Sequence, residues 1–92
     1  MVTELRWKAA AVADLNAVVD YISIYNPSAA LSLLDEVEAK VSQLADQPKR
    51  GRPGRVLDTR ELVVRPNYIV VYSEGRREIV VLRVLHAAQM WP

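Results

Sequence analysis

Arg60, Arg65, Arg83 and the chain's single histidine, His86, stand in the last third of the sequence, within or at the end of apolar runs. An arginine inside an apolar strand must reach water, a partner or a ligand, because burying an unpaired charge is strongly unfavourable. Such a set has the chemistry for cleaving RNA. That reaction needs a base for the 2′-hydroxyl, an acid for the leaving oxygen and cations for the charge that builds on the phosphorane. An imidazole can take either proton role near neutral pH, which suits His86. The guanidinium groups of Arg60, Arg65 and Arg83 can grip phosphate through paired hydrogen bonds. The same residues also fit a structural account, with His86 closing a strand and the arginines pairing with Glu61, Glu78 or Asp58.

Tyr68 and Tyr72 are four apart in a strand-like run and so share a side, where they can stack on bases or pack in the core. Lys49 to Arg55 is basic and broken by Gly51, Pro53 and Gly54. It makes a loop that can meet phosphate or stand in solvent. No Gly-rich phosphate loop, nucleophile elbow or metal-ligand cluster is present. The chain has no cysteine, which excludes disulfides and thiolate-bound metal, and one histidine is too few for an ordinary zinc site. Neither a metal nor a cofactor is expected.

The net charge of +1 conceals an asymmetry. Residues 1–48 carry three basic and seven acidic side chains, and residues 49–92 carry nine basic and four acidic. An acidic half and a basic half imply a polar molecule whose basic face suits nucleic acid or an acidic protein segment. With 51% apolar and 25% charged residues, the 92-residue chain has ordinary globular composition and length for one domain, 1–92. It opens without a signal-type segment and has no apolar run of the roughly 20 residues a membrane helix needs. A soluble, cytoplasmic protein is the expectation.

The elements that must position these residues follow from periodicity. Thr3 to Trp7 alternates as a short strand. From about Lys8 the period becomes helical, with Ala11, Leu15, Val18, Ile22 and Tyr25 on one stripe. Asn26 and Pro27 end this helix and start the next, Asn26 as cap and Pro27 in the first turn. Ala30, Leu34, Val37, Val41 and Leu44 form the second stripe, which stops before Pro48. The acidic positions outside the stripes predict solvated faces. Strands follow at Arg60–Arg65, Tyr68–Ser73 and Glu78–Leu85, joined by turns at Pro66-Asn67 and Glu74-Gly75-Arg76. The predicted fold is α+β, β-α-α-β-β-β: an antiparallel sheet with a two-helix hairpin packed on one face and the other face open. In the last strand, Val80, Leu82 and Val84 are the aliphatic set for the helix-packed face, which puts Arg83 on the open one. Arg60 shares a side with Leu62 and Val64, and Arg65 with Glu61 and Val63. Whether Arg60 joins Arg83 depends on register. Trp7 and Trp91 are expected as apolar anchors.

Trp7, Ala13-Asp14-Leu15, Tyr21-Ile22, Asn26-Pro27, Ala30, Leu44, Pro48, Gly51-Arg52, Thr59-Arg60-Glu61-Leu62, Tyr68-Ile69-Val70-Val71-Tyr72 and Val84-Leu85-His86 together resemble the RelE/ParE toxin superfamily of type II toxin–antitoxin modules. The resemblance runs through essentially the whole chain in order. It implies the same fold and a cognate antitoxin whose partly disordered segment folds over the toxin in a hetero-oligomer. RelE-like members are ribosome-dependent mRNA endonucleases. ParE-like members poison DNA gyrase and serve plasmid stabilisation and growth inhibition.

The resemblance places Arg60 and Arg83 at basic cleft-type positions and His86 where some nuclease members have a histidine. The tail Ala87-Ala88-Gln89-Met90-Trp91-Pro92 has no Arg, Lys or Tyr and is closer to ParE. The expectation is a gyrase inhibitor acting by protein–protein contact rather than catalysis, with Arg60, Arg65, Arg83, Tyr68, Tyr72 and His86 as partner-binding residues. Two alternatives stand beside it. One is an mRNA interferase with His86, Arg60 and Arg83 as its catalytic set. The other is a degenerate member that mainly binds its antitoxin and represses the operon with it.

Overall fold

The computed structural model describes residues 3–87 together with Gln89 and Trp91. Met1 and Val2 at the start, and the tail positions Ala88, Met90 and Pro92, lie outside the described residues. The chain runs β1 Glu4–Trp7, α1 Ala9–Tyr25, α2 Pro27–Ser42, a 3-10 turn Gln43–Ala45, β2 Arg52–Pro53, β3 Arg60–Arg65, β4 Tyr68–Glu74 and β5 Glu78–His86. The predicted order is present with one addition, the two-residue β2 inside the basic loop, which pairs with Glu61 and Arg60. The sheet order is β1-β5-β4-β3-β2. Neighbours from β2 to β5 are antiparallel as expected, but β1 lies parallel to β5, so the sheet is mixed. Short turns force antiparallel neighbours, whereas the helical hairpin after β1 is long enough to release it from that constraint. Among the described residues no helix is long and apolar enough to cross a membrane.

Asn26 works in both directions at the helix junction. Its backbone N–H donates to Ile22 O at 2.8 Å, closing α1, and its side chain accepts from the Ala29 N–H at 3.1 Å, opening α2. Leu33, Val37, Val41 and Leu44 pack with Ala11 and Leu15 against the sheet. The α2 stripe is centred on fully buried Leu33, while the predicted Leu34 sits half-buried at its margin. Tyr25, predicted on the α1 stripe, is exposed and meets Tyr21 edge-on at 5.6 Å. The buried positions of α1 are Ala11 and Leu15, so its first half carries the packing.

Two β-bulges break the alternation that sequence reasoning assumes. In β5, Tyr72 faces Val81 but Val71 faces Arg83, so Leu82 is the extra residue. Ile79, Val81 and Val84 therefore share the helix-packed core, in place of Val80, Leu82 and Val84. In β3, Val63 faces Ile69 and Arg65 faces Tyr68, so Val64 is extra and Arg65 turns to the helix side instead of joining Glu61. Helix side chains serve the backbone at both irregularities. Asp14 Oδ2 accepts the Val84 N–H at 3.0 Å, and Lys40 Nζ donates to Val64 O at 2.8 Å. Each satisfies a polar group that would otherwise need another partner. On the opposite face Ile69, Val71 and Leu85 are buried, while Val63 is exposed beside a concavity of about 520 Å³ lined by Glu61, Val63, Pro66 and Ile69.

The basic loop is tied to both faces of the sheet. On the helix side, Tyr72 is fully buried, and its hydroxyl donates to Pro48 O and accepts from the Gly51 N–H, each at 2.8 Å. A Cβ at Gly51 would stand 2.8 Å from the Tyr72 ring and hydroxyl, so this approach requires glycine. On the other side, Glu61 is 3% exposed. It accepts Arg52 Nη2 at 3.2 Å, Arg55 Nε at 3.2 Å and the Arg55 backbone N–H at 3.0 Å. Burial pushes the Glu61 carboxyl up, but the bonds from Arg55 and Arg52 outweigh it and hold the group below its ordinary value.

Tyr72→Phe strands the Gly51 N–H and Pro48 carbonyl at the loop anchor and is expected to cost about 1–3 kcal/mol in a urea titration. An unchanged midpoint would show that the hydroxyl is dispensable. Glu61 has a lower pKa folded than unfolded. Its ionised form thus supports the fold above the ordinary carboxylate value of 4.5, and that support fades as pH falls through the lower folded value. Glu61→Gln should lower the melting temperature at neutral pH, with the gap to the parent closing on acidification below 4.5. A gap that persists unchanged into acid would contradict the clamp.

Candidate functional site

Strand register separates the arginines that sequence reasoning brings together. Arg60 pairs with Tyr72 and Arg83 with Val71, adjacent positions on β4. Arg60 reaches Glu74 and the loop carbonyl of Gly51, whereas Arg83 reaches Asp14 on α1. Arg65 lies at the far end of β3 from Arg60. The three do not converge on one point.

Each of these arginines meets a carboxylate. Arg60 Nε donates to Glu74 Oε1 at 2.9 Å and its Nη1 to Gly51 O at 2.7 Å, while Lys49 Nζ shares Glu74 Oε1 at 3.3 Å. Burial raises the Glu74 carboxyl, yet the bonds from Arg60 and Lys49 prevail and leave it lowered. Arg65 Nε donates to Glu36 Oε2 at 2.6 Å, and that bond holds Glu36 below its ordinary value. Arg83 forms a fork with Asp14, Nε to Oδ2 at 2.6 Å and Nη2 to Oδ1 at 3.0 Å, which raises the arginine's pKa. The Trp91 ring lies 5.6 Å from the Arg83 guanidinium carbon, a cation–π contact.

The carboxylates are largely not those expected. Glu78 pairs with Arg6 at 3.1 Å and Glu61 with Arg52 and Arg55. Asp14 and Glu36, which helical periodicity assigns to solvated faces, instead hold strand arginines, and Asp14 and Lys40 also bond the backbone at the bulges. The one local hint is the i,i+4 spacing of Glu36 and Lys40, whose charged atoms are 3.6 Å apart. The 69-residue separation of Asp14 from Arg83 leaves no such trace.

His86 is exposed at the end of β5, opposite Tyr68, with the rings edge-on at 5.6 Å. Its backbone N–H reaches Gln89 Oε1 at 3.3 Å. Tyr68 is half-buried against the core, and Tyr72 is fully buried and spends its hydroxyl on the loop. Among the described residues no group of three or more His, Asp or Glu could hold a metal ion. Two concavities stand out. One, about 560 Å³, lies at the end of the sheet between Lys49, Thr59, Arg60, Glu74 and Arg76. The other, about 440 Å³, is a mainly apolar trough between the helices and β1, lined by Leu5, Trp7, Val12, Leu15, Leu34 and Val41.

Comparison with known proteins gives this geometry its family. Residues 5–91 match the family described as ParE toxin of type II toxin-antitoxin system, parDE. The chain is 38% identical over 89 residues to protein Y4kP of Sinorhizobium fredii, covering 96% of this chain and 92% of that protein. It is 36% identical over 84 residues to toxin RelE2 of Caulobacter vibrioides, covering 91% and 94%. The solved structure of the chromosomal ParDE system from P. aeruginosa is similar at a TM-score of 0.82 and 26% identity, covering 92% of this chain and 96% of that one. With nearly its whole length matched, the chain belongs to the ParE toxin family of type II toxin–antitoxin systems.

Proposed function

We propose that this toxin inhibits DNA gyrase by protein–protein contact in the cytoplasm and is neutralised by a cognate antitoxin. The observation that carries the choice of target is the filled state of the arginine forks. A phosphorane needs cations free to receive its oxygens, whereas Arg60, Arg65 and Arg83 are occupied by Glu74, Glu36 and Asp14 and stand apart. His86, at the end of β5, has the Tyr68 ring edge-on beside it at 5.6 Å. Membership in the ParE family supports the same reading.

The antitoxin part of the proposal draws on the P. aeruginosa structure, which is of a ParDE toxin–antitoxin system. It also draws on the apolar trough beside β1, whose side chains suit the apolar face of an antitoxin segment that folds on binding. The second reading, an mRNA interferase using His86, Arg60 and Arg83, has support in the Caulobacter relative that bears the name RelE2.

Purified toxin is expected to abolish gyrase supercoiling or to accumulate cleaved DNA, with activity restored by antitoxin. Normal supercoiling at high toxin excess would overturn the gyrase reading. In a translating extract the same preparation should leave mRNA intact. Codon-positioned cuts that vanish in His86→Ala would establish the nuclease instead.

A further inference from the structure

The sequence's basic half does not produce a basic sheet face, because its arginines are largely neutralised where they stand. Arg52 and Arg55 share Glu61, Arg60 has Glu74, Arg65 has Glu36 and Arg83 has Asp14. Among the described residues, basic side chains without a carboxylate partner are Lys8, Arg50, Arg76 and Arg77. Arg76 and Arg77 form the exposed tip of the β4–β5 hairpin, and among the described residues neither has a side-chain hydrogen bond or ion pair. Arg50 is held by two neutral partners, Gln43 Oε1 at 2.9 Å and Gln47 Oε1 at 3.1 Å, and keeps its full charge. Lys49 is 76% exposed and shares Glu74 with Arg60.

These groups are displayed rather than loosely scattered. The Gly75 N–H donates to Glu78 O at 2.7 Å and closes the hairpin, while Arg77 O accepts the Glu4 N–H at 2.8 Å and roots the tip to β1. Arg76 and Lys49 line the same 560 Å³ cleft, with Arg60 between cationic neighbours and Glu74 and Asp58 as its acids. Arg77 follows Arg76 in the exposed turn.

We propose that this tip, Arg76 and Arg77 with Lys49, binds the phosphodiester backbone of duplex DNA. The chemistry favours phosphate over an acidic protein. Protein interfaces draw their energy from buried apolar anchors within a polar rim. Among the described residues the exposed large apolar side chains are chiefly on α1 and α2; Leu57 is exposed next to the cleft-lining Asp58, and none falls within residues 49–50 or 74–77. Cations without apolar anchors bind through release of counterions from a dense row of phosphates, a source of affinity that a polypeptide carboxylate cluster supplies poorly. This contact is separate from the proposed action on gyrase and is measured without the topoisomerase, so either can fail alone.

The test is fluorescence anisotropy of the purified toxin with a short labelled duplex across a salt series. Binding should weaken steeply with salt. The double variant Arg76→Ala/Arg77→Ala should bind at least about tenfold more weakly, with the slope of log Kd against log salt shallower by about two. Lys8→Ala, at the far end of β1 from the tip, should leave affinity unchanged. Both variants alter exposed side chains, and circular dichroism checks that the fold is kept. Equal affinity in parent and double variant, or an equal loss in Lys8→Ala, would overturn the proposal. So would binding to polyglutamate as tight as to the duplex.

Discussion

A guanidinium that emerges from an apolar sheet needs a carboxylate within reach, and meeting that need organises this molecule. Asp14 from α1 meets Arg83, Glu36 from α2 meets Arg65, and Glu74 from β4 meets Arg60. The first two pairs do more than cancel charge. Each sits beside a β-bulge, and each helix also supplies a group for the backbone there, through Asp14 to the Val84 N–H and Lys40 to Val64 O. The helical hairpin is thereby pinned in position over the sheet by directional contacts as well as by apolar packing. Paired charges of this kind contribute modest net stability, but removing one partner leaves the other in a partly dehydrated site.

The same pairing decides what the protein can offer a partner. Free arginines can grip phosphate, whereas Arg60, Arg65 and Arg83 are each held by a separate carboxylate, Glu74, Glu36 and Asp14. The protein's surface divides accordingly into an apolar trough beside β1 and a cationic tip at the β4–β5 turn. The basic loop between the helices and β3 is part of the scaffold, since Tyr72 anchors it from one side and Glu61 from the other.

Charge counted along the chain and charge displayed in space therefore tell different stories. The excess of basic residues after position 48 predicts a basic face in the region of Arg60 and Arg83. In the folded molecule those side chains are spent on ion pairs, and among the described residues Arg76 and Arg77 stand without a side-chain partner at a turn that periodicity treats as a connection. Arg50 illustrates the point at a single residue, because amide partners fix its position without reducing its charge.

The order of strands and helices, the Asn26-Pro27 junction, most of the two helical stripes and the family were legible in the sequence, because each depends on near-neighbour chemistry or on a pattern carried along the whole chain. Tertiary structure alone decided which arginines face which way. One extra residue at Val64 and one at Leu82 turn the side chains that follow to other faces, and no local signal marks either bulge. Nor does local chemistry join Asp14 to Arg83 or place β1 parallel to β5. Those contacts arise only when segments distant in the chain are packed together and the buried charges must find the nearest oxygen.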